Sequence, residues 1–359
     1  MLITKPAMAS VLEQLSPKHK NLLLIGEDCQ LNIEELIEMC QAKGITIAGG
    51  IFPGVIHGQQ HHSDGIIIKQ LPPNASVSLI KDISTLHHDT LRTVGAQTKS
   101  AMVLVDGLSR HITGFLEHLF ETYWDRIKFI GGGAGSLSLQ QQPCLFTNEG
   151  FFENAAIVIL QDAPLNLGVK HGWKKIAGPF VVNSSTGNTV HELNWRPAFE
   201  VYQEIIQSHG GRTLEADHFF EVAKCFPFGL YREGMEDIVR DPIITDGQSL
   251  TCVGEVPVNS VVNILVGEAD ELIRNAEDAA GAITAQTTDT LIIDCISRSL
   301  FLEEKFTEEL AGIERVINTQ NLSIPLEGVL SLGEISSYGD GYLEFFNKTI
   351  VVGAFQKHV

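Results

Sequence analysis

The residues best suited to chemistry occur in a pattern that the chain writes twice. Leu104-Val105-Asp106-Gly107-Leu108-Ser109-Arg110 is matched near the other end by Ile292-Ile293-Asp294-Cys295-Ile296-Ser297-Arg298. Each copy puts an Asp where an apolar strand ends, with a Ser and an Arg one turn further on. In open α/β sheets that carboxyl edge is where ligands bind. The planar fork of Arg gives two parallel charge-assisted bonds to a carboxylate. Asp106, Arg110, Asp294 and Arg298 are therefore candidate ligand contacts, with Arg298 the expected anchor and Arg110 mainly structural. The same side chains also suit structural work, the Asp residues as helix caps and each Arg paired with a local acid. Cys295 would be a nucleophile only if a base lowered its pKa, and a buried structural thiol is the other reading. Gly333 and Glu334 stand at the matching strand end, where Glu334 offers a polar contact. His171 and His191 fall in apolar strands, as metal ligands or as satisfied core histidines. His57, His61 and His62 share a polar loop that lacks an acid or Cys at ligand spacing.

The elements that position these residues repeat as well. After each Asp-x-x-Ser-Arg comes a helical segment, then a Gly-bearing strand end, Gly131–Ser136 against Leu332–Ser336. Each unit closes on an apolar run that follows an Asn, Asn154 and Asn347. Four matches in one order predict a duplicated supersecondary unit. The expected fold is α/β: two mixed-sheet halves with covering helices about a pseudo-twofold axis. Asn21–Gly26 reads as a buried strand, Asn32 as an N-cap with Glu35 three residues on, and Gly44 as the end of that helix. Ile45–Phe52 completes a βαβ unit. Phe226–Arg232, Asp237–Thr245 and Ser249–Val253 read as an antiparallel meander. Single helices are predicted over 270–285 and 300–317, and one strand over 326–335.

Composition narrows the function. With 44 acidic against 25 basic residues, the net charge of −19 argues against a nucleic-acid or anionic-membrane surface. No apolar run approaches the ~18 residues of a membrane span. Six scattered cysteines without a CxxC pair fit a reduced, cytoplasmic setting and no zinc site. The glycines at 131–135 are followed by no Gly-Lys-Ser/Thr, so a nucleotide site is poorly supported.

From about Leu22 to Phe355 the chain resembles the FIST sensory family (F-box and intracellular signal transduction). The first half carries Gly49-Gly50-Ile51-Phe52-Pro53-Gly54 and Gly131–Gly135. The second carries Gly172-Trp173, Gly187 through Tyr202, Val239-Arg240-Asp241-Pro242, Cys295 with Arg298, Gly333-Glu334 and Asn347. The resemblance implies an N-terminal domain over 20–165 and a C-terminal domain over 166–359. It adds Arg240 and Asn347 to the candidate ligand contacts. It implies a non-catalytic intracellular sensor of a small ligand, signalling to a partner such as a histidine kinase or a cyclic-di-nucleotide enzyme. One branch is similar to haem-binding nitric oxide sensors, and Ile51-Phe52-Pro53 gives an apolar turn where many relatives have small polar residues. Haem with His171 or His191 as axial ligand is the leading expectation. A small polar metabolite such as an amino acid, or a hydrolase using Cys295, are the alternatives.

Overall fold

A computed structural model describes residues 1–85, 91, 95–210, 214, 218–320, 322–338 and 342–356. The chain opens with β1 (Leu2–Thr4), α1 (Met8–Gln14), β2 (Asn21–Gly26), α2 (Ile33–Lys43) and β3 (Ile47–Phe52). The hairpin β4 (Gly54–His57) and β5 (Gln60–His62) and the strand β6 (Gly65–Gln70) follow. Helix α2 is punctuated as its sequence predicts: Asn32 Oδ1 accepts from Glu35 N at 3.1 Å, and Gly44 ends it with φ 66°.

The next repeat runs through β7 (Ser76–Ile80), β8 (Ser100–Asp106), α3 (Ile112–Tyr123), β9 (Lys128–Ala134), the hairpin β10 (Leu145–Thr147) and β11 (Gly150–Phe152), and β12 (Ala156–Gln161). A third begins with β13 (Leu165–Lys170) and is interrupted by an insertion of β14 (Lys174–Thr186), β15 (Thr189–Leu193), β16 (Arg196–Pro197), α4 (Ala198–Gly210), α5 (Phe219–Ala223), β17 (Phe228–Leu230), β18 (Ile238–Thr245), β19 (Leu250–Val253) and β20 (Val261–Val266). It resumes with α6 (Ala269–Ala279), β21 (Thr287–Cys295), α7 (Ile296–Leu302), α8 (Phe306–Thr319), β22 (Glu327–Ser331), the hairpin β23 (Glu334–Tyr338) and β24 (Tyr342–Phe346), and β25 (Ile350–Gln356).

The mixed sheets and covering helices expected from the sequence are present, and the duplicated unit occurs a third time. The three six-stranded sheets are ordered β1-β6-β2-β3-β10-β11, β7-β12-β8-β9-β23-β24 and β13-β25-β21-β22-β4-β5. In each, one parallel pair (β2–β3, β8–β9, β21–β22) is flanked by an antiparallel strand of its own repeat. On the other side each sheet takes the hairpin of another repeat. β10 pairs with β3, β23 with β9 and β4 with β22, a cyclic exchange. One face of every sheet points inward, so Leu22, Leu24, Met102, Leu104, Leu291 and Ile293 share a single central core. The outer faces lie under helices, α2 on the first sheet, α3 on the second, and α6 and α8 on the third.

Three glycines show the equivalence at atomic level. Gly49, Gly131 and Gly328 stand opposite Leu23, Val103 and Ile292 in the parallel pairs. An added Cβ would lie 2.1 Å from the Leu23 carbonyl oxygen, 1.7 Å from that of Val103 and 2.0 Å from that of Ile292. Only a residue without Cβ tolerates that backbone approach.

This register corrects one pairing read from sequence. Val103 and Ile292 are equivalent, so three residues on Asp106 corresponds to Cys295 and not to Asp294. A one-residue offset turns a side chain to the opposite face of its sheet. Both Asp-x-x-Ser-Arg stretches still occupy corresponding strand ends. The helix expected over 300–317 is broken at Glu303, which has φ 53°, into α7 and α8. The strand expected over 326–335 is broken at Gly333, φ 127°, where the chain leaves its own sheet to pair with β9.

The insertion is a closed antiparallel barrel. Its strands run β14-β20-β17-β18-β19-β15, and β14 pairs with β15 to shut it. The predicted meander is β17-β18-β19. Its apolar interior is completed by Val201, Tyr202 and Ile206 of α4 and by Phe219 of α5.

Gly131→Ala is expected to cost roughly 1–3 kcal/mol or more, as overpacking against an immovable backbone does. Gly281→Ala, which meets nothing within 4 Å, should stay within about ±0.5 kcal/mol. Urea midpoints of the two variants against the parent chain measure the difference.

Candidate functional site

The polar residues of the third repeat converge inside the protein, where that repeat meets the barrel. Arg298, on α7, is completely buried. Its Nη1 donates to the His171 carbonyl at 2.6 Å, its Nη2 donates to the Leu272 carbonyl at 3.2 Å and pairs with Glu309 of α8, and its Nε lies 3.4 Å from Asp294 Oδ1. Burial works against the Arg298 charge, but Glu309 and Asp294 outweigh it and leave the guanidinium more firmly protonated than usual. Lys348, equally buried, donates from Nζ to the Lys224 carbonyl at 2.9 Å and to Ser297 Oγ at 2.7 Å, and pairs with Asp241 at 3.1 Å. Its ammonium also sits 4.9 Å from the centre of the Trp173 ring. Glu334 accepts from Ser331 Oγ at 2.7 Å and from the Thr349 N–H at 3.2 Å.

Beside this cluster a cleft of about 310 Å³ opens between the barrel and α6. It is lined by His171, Trp173, Lys174, Glu236, Glu271 and Asn275 among others. Gly172 turns the chain at its floor with φ 77°, and an added Cβ there would meet Asn275 at 3.1 Å. His171 is buried, and its Nδ1 accepts from the Trp173 N–H at 2.9 Å. Burial holds its pKa below the usual imidazole value, so the ring is neutral with its proton on Nε2. That Nε2 has no hydrogen-bond partner and lies 3.7 Å from Glu236 Oε2. Lys170 and Glu236 pair at 2.8 Å, and Lys174 and Glu271 at 2.9 Å, so the rim carries both signs of charge.

Burial separates the two arginines. Arg298 is committed to internal partners and reaches no solvent, whereas Arg110 is exposed at a separate hollow of about 420 Å³ with His111 and Glu255. Asp106 organises a turn, accepting from Leu108 N at 3.0 Å, Gln141 Nε2 at 2.8 Å and Asn154 N at 2.7 Å. Arg240 is buried, with Nε donating to the Glu255 carbonyl at 2.9 Å and Nη1 to those of Val239 at 3.0 Å and Phe345 at 2.9 Å. Asp294, Cys295, Glu334 and Asn347 are all buried. Gly333 is where it is because a Cβ would lie 2.1 Å from the Phe345 ring. Burial and the neighbouring Glu334 push the Cys295 thiol well up, the opposite of what a nucleophile requires.

The expected haem ligands do not fit that group. His171 Nδ1 is taken by Trp173, and its Nε2 faces a carboxylate in a cleft rimmed by charge. His191, half-buried on β15, has Nε2 3.1 Å from Thr186 Oγ1. The apolar turn that favoured haem is no pocket wall, since the Phe52 side chain belongs to the central core. Among the described residues no group of three or more His, Cys, Asp or Glu could hold a metal ion, His57, His61 and His62 included.

Glu309, Lys348 and the cleft acids Glu236 and Glu271 were not singled out from sequence, and Trp173 and Asp241 were named only within the family motifs. Glu309 carried a signal. It falls on the buried stripe Phe306, Glu309, Ile313, and a carboxylate on an apolar stripe calls for a buried cation.

Three interlocked α/β sheets with an inserted barrel, and a mixed-charge cleft between that barrel and α6, define a two-part α/β module. The chain matches the FIST N domain over residues 22–196 and the FIST C domain over 198–337, and it belongs to the FIST family. FIST domains are sensory, ligand-binding domains in signalling. No curated protein matches the chain. No helix among the described residues is long and apolar enough to cross a membrane.

Arg298→Ala is expected to cost about 3–5 kcal/mol of folding stability without any ligand, because it strands buried carboxylates. Denaturant unfolding of the purified chain measures it.

Proposed function

We propose that the protein senses a small polar metabolite, an amino acid or a similar zwitterion, in the cleft between the barrel and α6. The observation that carries this reading is the buried His171 Nε2–H, a donor without a partner at the cleft floor. An unpaired buried donor is costly, and a ligand acceptor would relieve that cost. Glu236, Glu271, Lys174 and Lys175 all line the cleft, and a lining with both signs of charge suits a ligand with an ammonium and a carboxylate. Occupancy would pass to a separate signalling protein, for which a histidine kinase or a cyclic-di-nucleotide enzyme is the kind of partner this family suggests. Six cysteines outside any disulfide suit a reduced, cytoplasmic compartment.

The reading is tested by thermal-shift and calorimetric titration with the common amino acids, short amines and short carboxylates. His171→Asn keeps an acceptor for the Trp173 N–H and removes Nε2. A ligand of the cleft should lose about 1–3 kcal/mol of affinity, roughly tenfold to a hundredfold, in His171→Asn. A ligand that binds the parent and the variant equally would place the site elsewhere.

A further inference from the structure

The buried cluster does not balance in charge. Asp241, Asp294, Glu309 and Glu334 are buried, and among the described residues the cations that pair with them are two, Arg298 and Lys348. Glu309 pairs with Arg298, and Asp241 with Lys348. Asp294 shares Arg298 with Glu309, its Oδ1 3.4 Å from Nε, so four carboxyls face two cations and Glu334 has no cation of its own. Both carboxyl oxygens of Asp294 and the Oε1 of Glu309 have no hydrogen-bond donor. A carboxylate stranded in this way is among the costliest groups a core can hold, whereas a protonated carboxyl supplies its own donor.

We infer that the cluster carries two protons in neutral solution, one on Glu334 and one on Asp294, and that losing them in alkaline solution opens the seam between the barrel and the third repeat. Arg298 and Lys348 both span the seam, alongside apolar contacts of Trp173, Val239 and Leu265. Lys348 reaches across it to Asp241 and to the Lys224 carbonyl, and Arg298 reaches the His171 carbonyl where the chain enters the barrel. Each newly ionised carboxylate competes for those cations and draws water into the seam.

The surroundings agree. Burial pushes the Glu334 carboxyl up to about 8 and the Asp294 carboxyl well above the usual range, the latter with Glu309 adding to the effect. The groups that face Glu334 are Asp294 and Cys295 from β21, Arg298 from α7, Ser331 from β22 and the Thr349 N–H before β25. β9 presents Gly132 opposite it, and β24 presents Phe346. Folded protein keeps a proton on Glu334 that the unfolded chain loses near the ordinary value of 4.5. Stability from this group therefore falls as pH rises from 4.5 toward 8 and is level beyond that. The inference rests on the cluster alone and is independent of what occupies the cleft.

Trp173 reports on the seam, because its ring lies over Lys348 and its Nε1–H donates to the Lys348 carbonyl at 3.1 Å. Trp124 and Trp195 are exposed at 60% and 77%, so replacing both with Phe leaves Trp173 as the sole Trp fluorophore of the full chain. Acrylamide quenching is expected to rise several-fold between about pH 6 and about pH 9.5, with a midpoint near 8 and far-UV circular dichroism unchanged. Glu334→Gln, which keeps the shape of the neutral acid, should move that rise to higher pH or abolish it, and Asp294→Asn should weaken it. A flat profile in the parent would overturn the proposal, as would the same rise in both variants. Amide hydrogen exchange over 346–350 in the unsubstituted chain should accelerate over the same pH range beyond its intrinsic pH dependence, and protection that stays constant there would overturn the proposal without any Trp replacement.

Discussion

Each repeat of this protein builds a sheet that it cannot finish. Its inner parallel strand has one neighbour from its own repeat, and the other edge stays open until a hairpin arrives from elsewhere. An open strand edge carries unpaired N–H and C=O groups, so covering it is a strong constraint. The hairpin of the first repeat closes the third, that of the second closes the first, and that of the third closes the second. No repeat is complete alone, and their inward faces share one core. The consequence is cooperativity: the three units stand or fall together, with glycines at 49, 131 and 328 where the strand backbones come closest.

The barrel is attached to this frame differently. It enters after β13 and leaves before α6, and its seat combines apolar packing of Trp173, Val239 and Leu265 with charged side chains buried against one another. Buried ion pairs add little net stability over apolar packing, but breaking one is expensive. Such a junction is well defined yet sensitive to the charge on a few atoms, which suits a sensory domain better than an oily interface would. The cleft lies along the same junction, and His171 belongs to both, through its ring to the cleft and through its carbonyl to Arg298.

The strands and helices were legible because their local signals agree with their environment. Asn21–Gly26 is a largely apolar strand buried on both faces, and the Asn32 cap and the Gly44 stop bracket α2. Family membership was legible as well, from ordered motifs along most of the chain. The first repeat was not seen as a repeat. Its strand ends at Gly26, where the other two have Asp106 and Cys295, so it lacks the polar signature that drew attention to them.

The sequence by itself determined the element types, the turn positions and the presence of a repeated unit, because these depend on residues close together in the chain. Only the tertiary structure decided which polar residues face solvent and which face each other. Arg110 and Arg298 occupy the same place in the same short motif, yet one is exposed and the other completely buried. The difference comes from groups distant in sequence, Glu309 of α8 and the carbonyls of His171 and Leu272, which surround Arg298 and satisfy it. Burial and pairing are properties of what packs around a side chain, and no local spacing encodes them.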